Sequence, residues 1–312
     1  MTDQAILQNM SSDEFHGHHR GQTIIAGRTE HQSFEIVELG DYGRALLLDG
    51  CIQSTEKDEA VYHETLVLPA YACSPGVESV LCLGGGNGGL LRQVMMMPSL
   101  RRVSLIDIDE ELHEISRQYL PHMHGQTLND PRLTLTFGPV RHTVETLMER
   151  EEVFDLVVAD LPDATAGSYA GGLFSAEFYA TVRRLLGPRG LYATHVGQAH
   201  FRHCRFLNRA LRTLRASFVH AALYTASVPS LGTPWGFVIA SDGSDPGEVG
   251  LGDVDKRLAK LLPPGACSYD AVTHRHMFSI PRALRLALAE PAPLIRDENP
   301  ATVEIVVENE TC

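Results

Sequence analysis

No run of about eighteen apolar residues occurs in this 312-residue chain, so no segment reads as a transmembrane helix. Positive charge is scarce. Lys and Arg number 26 against 39 Asp and Glu, a formal net charge of -13. No local basic patch offsets that balance, so neither a nucleic-acid backbone nor an anionic membrane is an expected partner. The six cysteines (Cys51, Cys73, Cys82, Cys204, Cys267 and Cys312) show neither pairing nor metal spacing. They are read as reduced thiols of a cytoplasmic protein. Met1 to Phe15 is polar and acidic rather than a signal peptide, and no internal repeat is visible. What is there, 44% hydrophobic and 21% charged residues, suits a globular protein with one large domain and a small appendage.

Residues 1–21 are expected to be a flexible polar leader, in preference to a metal site at His16-Gly17-His18-His19. Residues 22–57 suggest a small N-terminal β domain. Its strands are expected over 32–38 and 44–48, around the turn signals Gly40-Asp41-Tyr42-Gly43 and Asp49-Gly50. From Asp58 to about residue 289, apolar runs alternate with helical spacing. Strands are expected over 80–83, 103–106, 133–137, 154–159, 191–194, 219–223 and 235–240. Helices are expected over 59–73, 89–97, 110–119, 176–186 and 200–216. This is an α/β chain whose mainly parallel sheet is covered on both faces, and whose ligands bind beyond the carboxyl ends of the strands. Residues 290–312 form an acidic tail, expected to be loosely held.

The strongest local signal is Leu83-Gly84-Gly85-Gly86-Asn87-Gly88-Gly89, after one apolar strand and before a helix. Glycines there let backbone approach a ligand and turn into the helix; a plain tight turn has the same composition. Asp107 ends the next strand, about twenty residues on, where an acid can accept both ribose hydroxyls of an adenosine. No Lys-Ser or Lys-Thr follows the glycines, which excludes a P-loop. NAD fits this spacing, but the preceding β unit and a later carboxylate pair speak against it. That pair is Asp160 and Asp163, at the end of another strand. Two carboxylates there can orient an amine and take its proton, or serve as cap and turn residues.

These residues together resemble the spermidine synthases and related polyamine aminopropyltransferases, from about residue 32 to 288. The likeness rests on Leu48-Asp49-Gly50-Cys51-Ile52-Gln53-Ser54-Thr55-Glu56-Lys57-Asp58-Glu59, on Tyr62-His63-Glu64, on the triple-glycine loop and on Asp160 to Asp163. Val228-Pro229, Trp235-Gly236-Phe237, His274 and Phe278-Ser279-Ile280-Pro281 extend it. The resemblance implies a Rossmann-like, class I methyltransferase-type sheet with a small N-terminal β domain, in a homodimer or homotetramer. It implies transfer of an aminopropyl group from decarboxylated S-adenosylmethionine to an amine, with methylthioadenosine released and no metal required. It marks Gln32, Asp107 and Ile108, with Gly84, Gly85 and Gly86, as contacts to the nucleoside donor. Gln53, Tyr62 and His63 lie around the reacting chain, Asp160 is the acid-base residue, and Asp163 holds the amine. His200, His203 and Cys204 are assigned to the surface and core of the expected helix.

The chain also departs from the family pattern. Asn87 replaces an Asp that holds the donor's ammonium group. An amide there tolerates a donor carboxylate and can hydrogen-bond it, or merely keeps the loop shape. Gly138-Pro139-Val140 replaces a Gly-Asp-Gly that reads adenine, so Pro139 stands where a side-chain acceptor is usual. Leu231 replaces a Tyr of the acceptor site, and His195 replaces a Gln. Residues 166–172 look longer than usual. Trp235 is retained near the acceptor. These changes leave several readings. The nucleoside donor is S-adenosylmethionine or its decarboxylated form. The nucleophile is an external amine or the donor's own amine, which would close a small amino-acid ring. An N-methyltransferase and a non-catalytic binding homologue are the alternatives.

Overall fold

The computed structural model describes residues 5–74, 76–164, 169–263 and 267–300. Thirteen strands occur among them. They are β1 (Ala5–Asn9), β2 (Phe15–His19), β3 (Thr23–Arg28), β4 (Ser33–Glu38), β5 (Arg44–Leu48), β6 (Cys51–Thr55), β7 (Ser79–Gly84), β8 (Arg102–Asp107), β9 (Leu133–Phe137), β10 (Phe154–Asp160), β11 (Leu186–Gln198), β12 (His220–Ser227) and β13 (Pro234–Ser241). The helices are α1 (Glu59–Cys73), α2 (Gly89–Val94), α3 (Glu110–Tyr119), α4 (Pro121–His124), α5 (Val140–Glu149), α6 (Ala176–Arg184), α7 (Arg205–Ser217), α8 (Leu251–Leu258), α9 (Ala271–Phe278) and α10 (Arg282–Ala289).

Seven strands form one sheet in the order β12-β13-β11-β10-β7-β8-β9. Strands β11 to β9 in that order are mutually parallel, and β13 runs antiparallel to both β11 and β12. Val80, Leu81, Cys82 and Leu83 of β7, and Leu156, Val157, Val158 and Ala159 of β10, are all buried. Apolar residues at every position, rather than at alternate ones, are what a parallel strand covered on both faces requires. On one cover, α7 buries Phe206, Leu207, Ala210, Leu211 and Leu214, a stripe at helical spacing. Strand order reverses between β7 and β10, which opens a crevice at their carboxyl ends. The glycine loop leaves β7 there, and Asp160 ends β10.

The loop and the strand end are locked together. Gly84 has φ +74, and a Cβ at this position would lie 2.2 Å from the Asp160 carbonyl oxygen. Gly84→Ala is therefore expected to cost about 3 kcal/mol, through left-handed backbone strain and a backbone clash. Chemical denaturation checks this; a change within about 0.5 kcal/mol contradicts it.

Strands β3-β4-β5-β6 form a separate antiparallel meander. Its two faces are distinct. Val37, Ala45, Leu47 and Ile52 pack on one side, while Ile36 and Leu46 pack on the other against Leu120 and Met123. That alternation is the period of two expected of a strand.

Three expectations need correction. Residues 5–19 of the supposed flexible leader form a β1–β2 hairpin with five paired positions. Ile6, 5% exposed, anchors it in the meander's core, and His18 Nε2 bonds the Ser230 carbonyl at 2.9 Å. The described part of the acidic tail is also held: the Ile295 side chain is buried, and its N–H donates to Thr213 Oγ1 at 2.9 Å. Residues 301–312 lie outside the described residues, as does part of the loop over 166–172. The helix expected over 200–216 starts only at Arg205, so His200 and His203 sit in the turn before α7. Among the described residues no helix is long and apolar enough to cross a membrane, and no disulfide joins the five described cysteines.

Candidate active site

A cavity of about 520 Å³ fills the crevice between the seven-stranded sheet and the meander. Gln32, Gln53, Tyr62, His63, Gly84, Gly85, Gly86, Asn87, Asp107, Ile108, Asp160, Asp163, His195, Leu231 and Trp235 all line it. Pro139 does not. It is the extended residue before α5 (φ -58, ψ 118), and its carbonyl accepts from Thr143 Oγ1 at 3.0 Å. The fixed pyrrolidine φ suits a helix start, and the cavity wall falls to Val140 instead.

The centre of the site is the Asp160 carboxylate. Tyr62 Oη donates to Asp160 Oδ1 at 2.9 Å, and His63 Nε2 lies 3.8 Å from Asp160 Oδ2. Burial, together with the charge of Asp160, raises the Tyr62 phenol well above its usual value, so it stays a proton donor. Tyr62 and His63 are adjacent on α1, and Glu59 lies one turn earlier. Glu59 Oε2 holds His63 Nδ1 at 2.7 Å, and Glu59 Oε1 accepts from the Arg92 guanidinium of α2. Burial alone would depress the His63 imidazole, but the Glu59 hydrogen bond and the charges of Glu59 and Asp160 outweigh it and raise the pKa. Burial likewise acts to raise Glu59, but His63 and Arg92 hold it below the usual carboxylate range. Gly89 is what admits the His63 ring: a Cβ there would lie 2.5 Å from Nδ1.

On the β8 side, Asp107 Oδ2 accepts the Gly86 N–H at 2.8 Å and Oδ1 accepts the Asp109 N–H at 3.0 Å. Each oxygen retains a further lone pair for a ligand. Burial raises the Asp107 carboxyl, against the pull of those two N–H groups. Gln32 Nε2 and Thr29 Oγ1 both donate to Asp109 Oδ2, at 3.0 and 2.7 Å, which ties the meander to the start of α3. The Asn87 side-chain oxygen accepts the Gly89 N–H at 3.0 Å. His113 bonds the Gly86 carbonyl at 2.8 Å.

Beyond Asp160 lie three buried polar atoms without a hydrogen-bond partner: Asp163 Oδ1, His195 Nδ1 and Trp235 Nε1. His195 Nε2 bonds the Leu161 carbonyl at 2.7 Å, so Nε2 carries the proton and Nδ1 is the acceptor in the neutral ring. Burial raises the Asp163 carboxyl, and His195 offsets this only in part. The 229–231 turn that carries Leu231 is fixed by Asp58, which accepts from Ser230 N–H at 2.8 Å and Ser230 Oγ at 2.9 Å.

Glu59, Asp58, Asp109 and His113 were not singled out as site residues from the sequence. Glu59 sits one turn before His63, and that i,i+4 spacing is the one signal that could have found it. The hairpin residues Gln8, Asn9 and Met10 also reach the cavity, from a segment whose place beside it depends on tertiary packing.

Comparison with known proteins places this site in context. The profile of the spermine/spermidine synthase domain matches residues 59–246, and that of the spermidine synthase tetramerisation domain matches residues 22–56. A polyamine aminopropyltransferase of Pyrobaculum aerophilum is 36% identical over 257 residues, covering 82% of this chain and 88% of that protein. A second relative, polyamine aminopropyltransferase 2 of Pseudomonas aeruginosa, is 34% identical over 96% of this chain and 85% of its own length. A spermidine synthase solved in complex with the transition-state analogue AdoDATO superposes with a TM-score of 0.82 at 25% identity, covering 91% of this chain and 94% of that one. Fold, cavity and sequence agree, and the chain belongs to the spermine/spermidine synthase family.

Proposed function

We propose that this protein transfers an aminopropyl group from decarboxylated S-adenosylmethionine to an amine and releases methylthioadenosine. The observation that carries the reading is the Tyr62–Asp160 pair at the end of β10, with a nucleoside-type cradle on one side and buried acceptor atoms on the other. Gln32, Asp107, Ile108 and the glycine loop hold the nucleoside, and Gln53 and His63 flank the three-carbon chain. Asp163 and His195 Nδ1 accept hydrogen bonds from the amine, and Leu231 and Trp235 line its methylenes. The amine nitrogen attacks the carbon next to the sulfonium. The C–N bond forms as the C–S bond breaks, the electron pair passes to sulfur, and Asp160 takes the proton lost by nitrogen. Orientation for in-line attack supplies several kcal/mol of the rate gain. The tetramerisation-domain match over residues 22–56 supports a homotetramer built through the meander.

A second reading rests on Asn87. Its oxygen is occupied by the Gly89 N–H, so its N–H₂ is the group left to meet a ligand, and an amide donor suits the carboxylate of intact S-adenosylmethionine. Transfer of 3-amino-3-carboxypropyl, or ring closure by the donor's own amine, would follow. Supplying each sulfonium donor with and without a diamine panel separates the readings. Methylthioadenosine from the decarboxylated donor only when amine is present is the expected result. Its release from intact donor overturns the first reading for the second. S-adenosylhomocysteine would indicate methyl transfer, and tight binding without turnover a non-catalytic homologue.

Asp163→Asn is expected to raise the KM for the amine at least about tenfold, because a charge-assisted hydrogen bond is lost. The raised pKa of Asp163 fixes the sign of two pH effects. The wild-type kcat/KM for the amine falls on the acid side above the ordinary Asp range, as the carboxylate takes a proton, and the variant lacks that limb. A raised folded-state pKa contributes stability below the unfolded value and loses it as pH rises through the folded one. Wherever Asp163 is ionised in the empty enzyme, its burial thus costs stability. The variant's melting temperature should rise, on the order of 2–4 °C. An unchanged KM and an unchanged acid limb would remove Asp163 from the amine site.

A further inference from the structure

Beside the cavity mouth, two segments distant in sequence bring metal-ligating side chains together. Glu14 is in the turn of the β1–β2 hairpin, and His200 and His203 are in the turn after β11. The His203 N–H closes that turn on the His200 carbonyl at 2.9 Å. The two imidazoles are held side by side, with ring centroids 5.1 Å apart and planes 15° apart, so one ring must turn out of this stack for both nitrogens to aim at one ion. His203 Nε2 lies 3.0 Å from Glu14 Oε2, and one ligand atom from each of the three residues falls within 4.8 Å of the others. His200 Nδ1 is shielded from solvent and has no hydrogen-bond partner. A shielded ring nitrogen without a partner thus stands beside a second imidazole and an exposed carboxylate, a set of donors suited to a cation.

We propose that Glu14, His200 and His203 form a binding site for a divalent transition cation of the zinc class, which fastens the β1–β2 hairpin over the mouth of the active-site cavity. Two imidazoles and one carboxylate suit zinc, with water as the fourth ligand. Zinc–nitrogen and zinc–oxygen bonds of about 2.1 Å place neighbouring ligand atoms about 3.4 Å apart, a separation reached by rotation of the exposed Glu14 side chain together with rotation of one imidazole. The metal takes the place of the hydrogen bond that His203 now makes with Glu14. The consequence is positional, not chemical. Gln8, Asn9 and Met10 of this hairpin, and Gln198 just before the histidines, line the cavity. Fixing Glu14 to the β11 turn holds that wall closed, and releasing it frees the hairpin on that side.

The test uses the full chain without an affinity tag, stripped with chelator and titrated with zinc chloride by calorimetry, with hydrogen exchange read on the hairpin amides. The expected result is one zinc per chain and slower exchange across residues 5–19. Glu14→Gln and His203→Ala should each weaken zinc binding at least about tenfold, while His142→Ala, on exposed α5, leaves it unchanged. Glu14 is exposed, so its variant reports on the metal rather than on folding. No zinc binding, binding indifferent to Glu14 and His203, or binding without protection of the hairpin would overturn the proposal. None of these outcomes depends on turnover, so each is separable from the activity assigned to the cavity.

Discussion

Asp160→Asn is expected to lower kcat by about 10²–10⁴-fold while leaving the affinity for the sulfonium donor within a few fold. The asparagine is isosteric and can still accept from Tyr62 Oη, which now bonds Asp160 Oδ1 at 2.9 Å, so the fold and the cavity wall persist. What disappears is the anion that balances the positive charge passing from sulfur to the attacking nitrogen and takes the proton that nitrogen loses. Because the loss falls on the chemical step, kcat and kcat/KM should drop together. Steady-state rates with calorimetric donor affinities check this. A kcat within about threefold of wild type would show that Asp160 is not the base. Tyr62→Phe should cost less, because it removes a hydrogen bond to the base and leaves the base in place.

The second large effect concerns a residue outside the reacting centre. Glu59 is 3% exposed and stands between His63 and Arg92. Glu59→Gln leaves both cations without their carboxylate, and removing one partner of a buried pair costs about 3 kcal/mol. The pH dependence identifies the cause. Glu59, with its depressed pKa, stabilises the fold above its unfolded value, and this is lost as pH falls through the folded one. His63, with its raised pKa, stabilises below its unfolded value, and this is lost as pH rises through the folded one. The difference between wild type and variant should therefore be largest between those two folded-state values and shrink on either side. Urea denaturation across that range measures it, and a difference independent of pH would mean that packing, not charge, is what Glu59 supplies. Since His63 Nε2 lies 3.8 Å from Asp160 Oδ2, kcat should also fall, by about tenfold.

How much of this was legible in the sequence follows from physical signal strength. Strands β5 and β9, and helices α1 and α3, were read with their observed bounds: β5 and α1 carry apolar runs, β9 alternates with a period of two, and α3 carries an apolar stripe at helical spacing. The glycine loop, Asp107 and Asp160 were readable because a parallel strand, a sharp turn and a helix impose a local order of residues. The β1–β2 hairpin was not. Its second strand is His-rich and polar, its first is only five residues long, and its hold on the core is largely the single side chain of Ile6. Pro139 misled for another reason: a chain position matched to an adenine-reading acid was assumed to face the ligand, whereas its ring starts α5 and Val140 faces the cavity. Glu59 and Asp109 were passed over because each resembles an ordinary acid at a helix start. Their meaning lies in partners from elsewhere in the chain: Arg92 for Glu59, and Gln32 and Thr29 for Asp109. These long-range partners are set by tertiary packing and leave no trace in local spacing; only the i,i+4 step from Glu59 to His63 does.

The most direct test of the proposed aminopropyl transfer is product identification by mass spectrometry, after incubating the purified protein with decarboxylated S-adenosylmethionine and a diamine. The account predicts methylthioadenosine and a polyamine one aminopropyl unit longer, in equal amounts. A methylated amine, or methylthioadenosine unaccompanied by the lengthened polyamine, would contradict it.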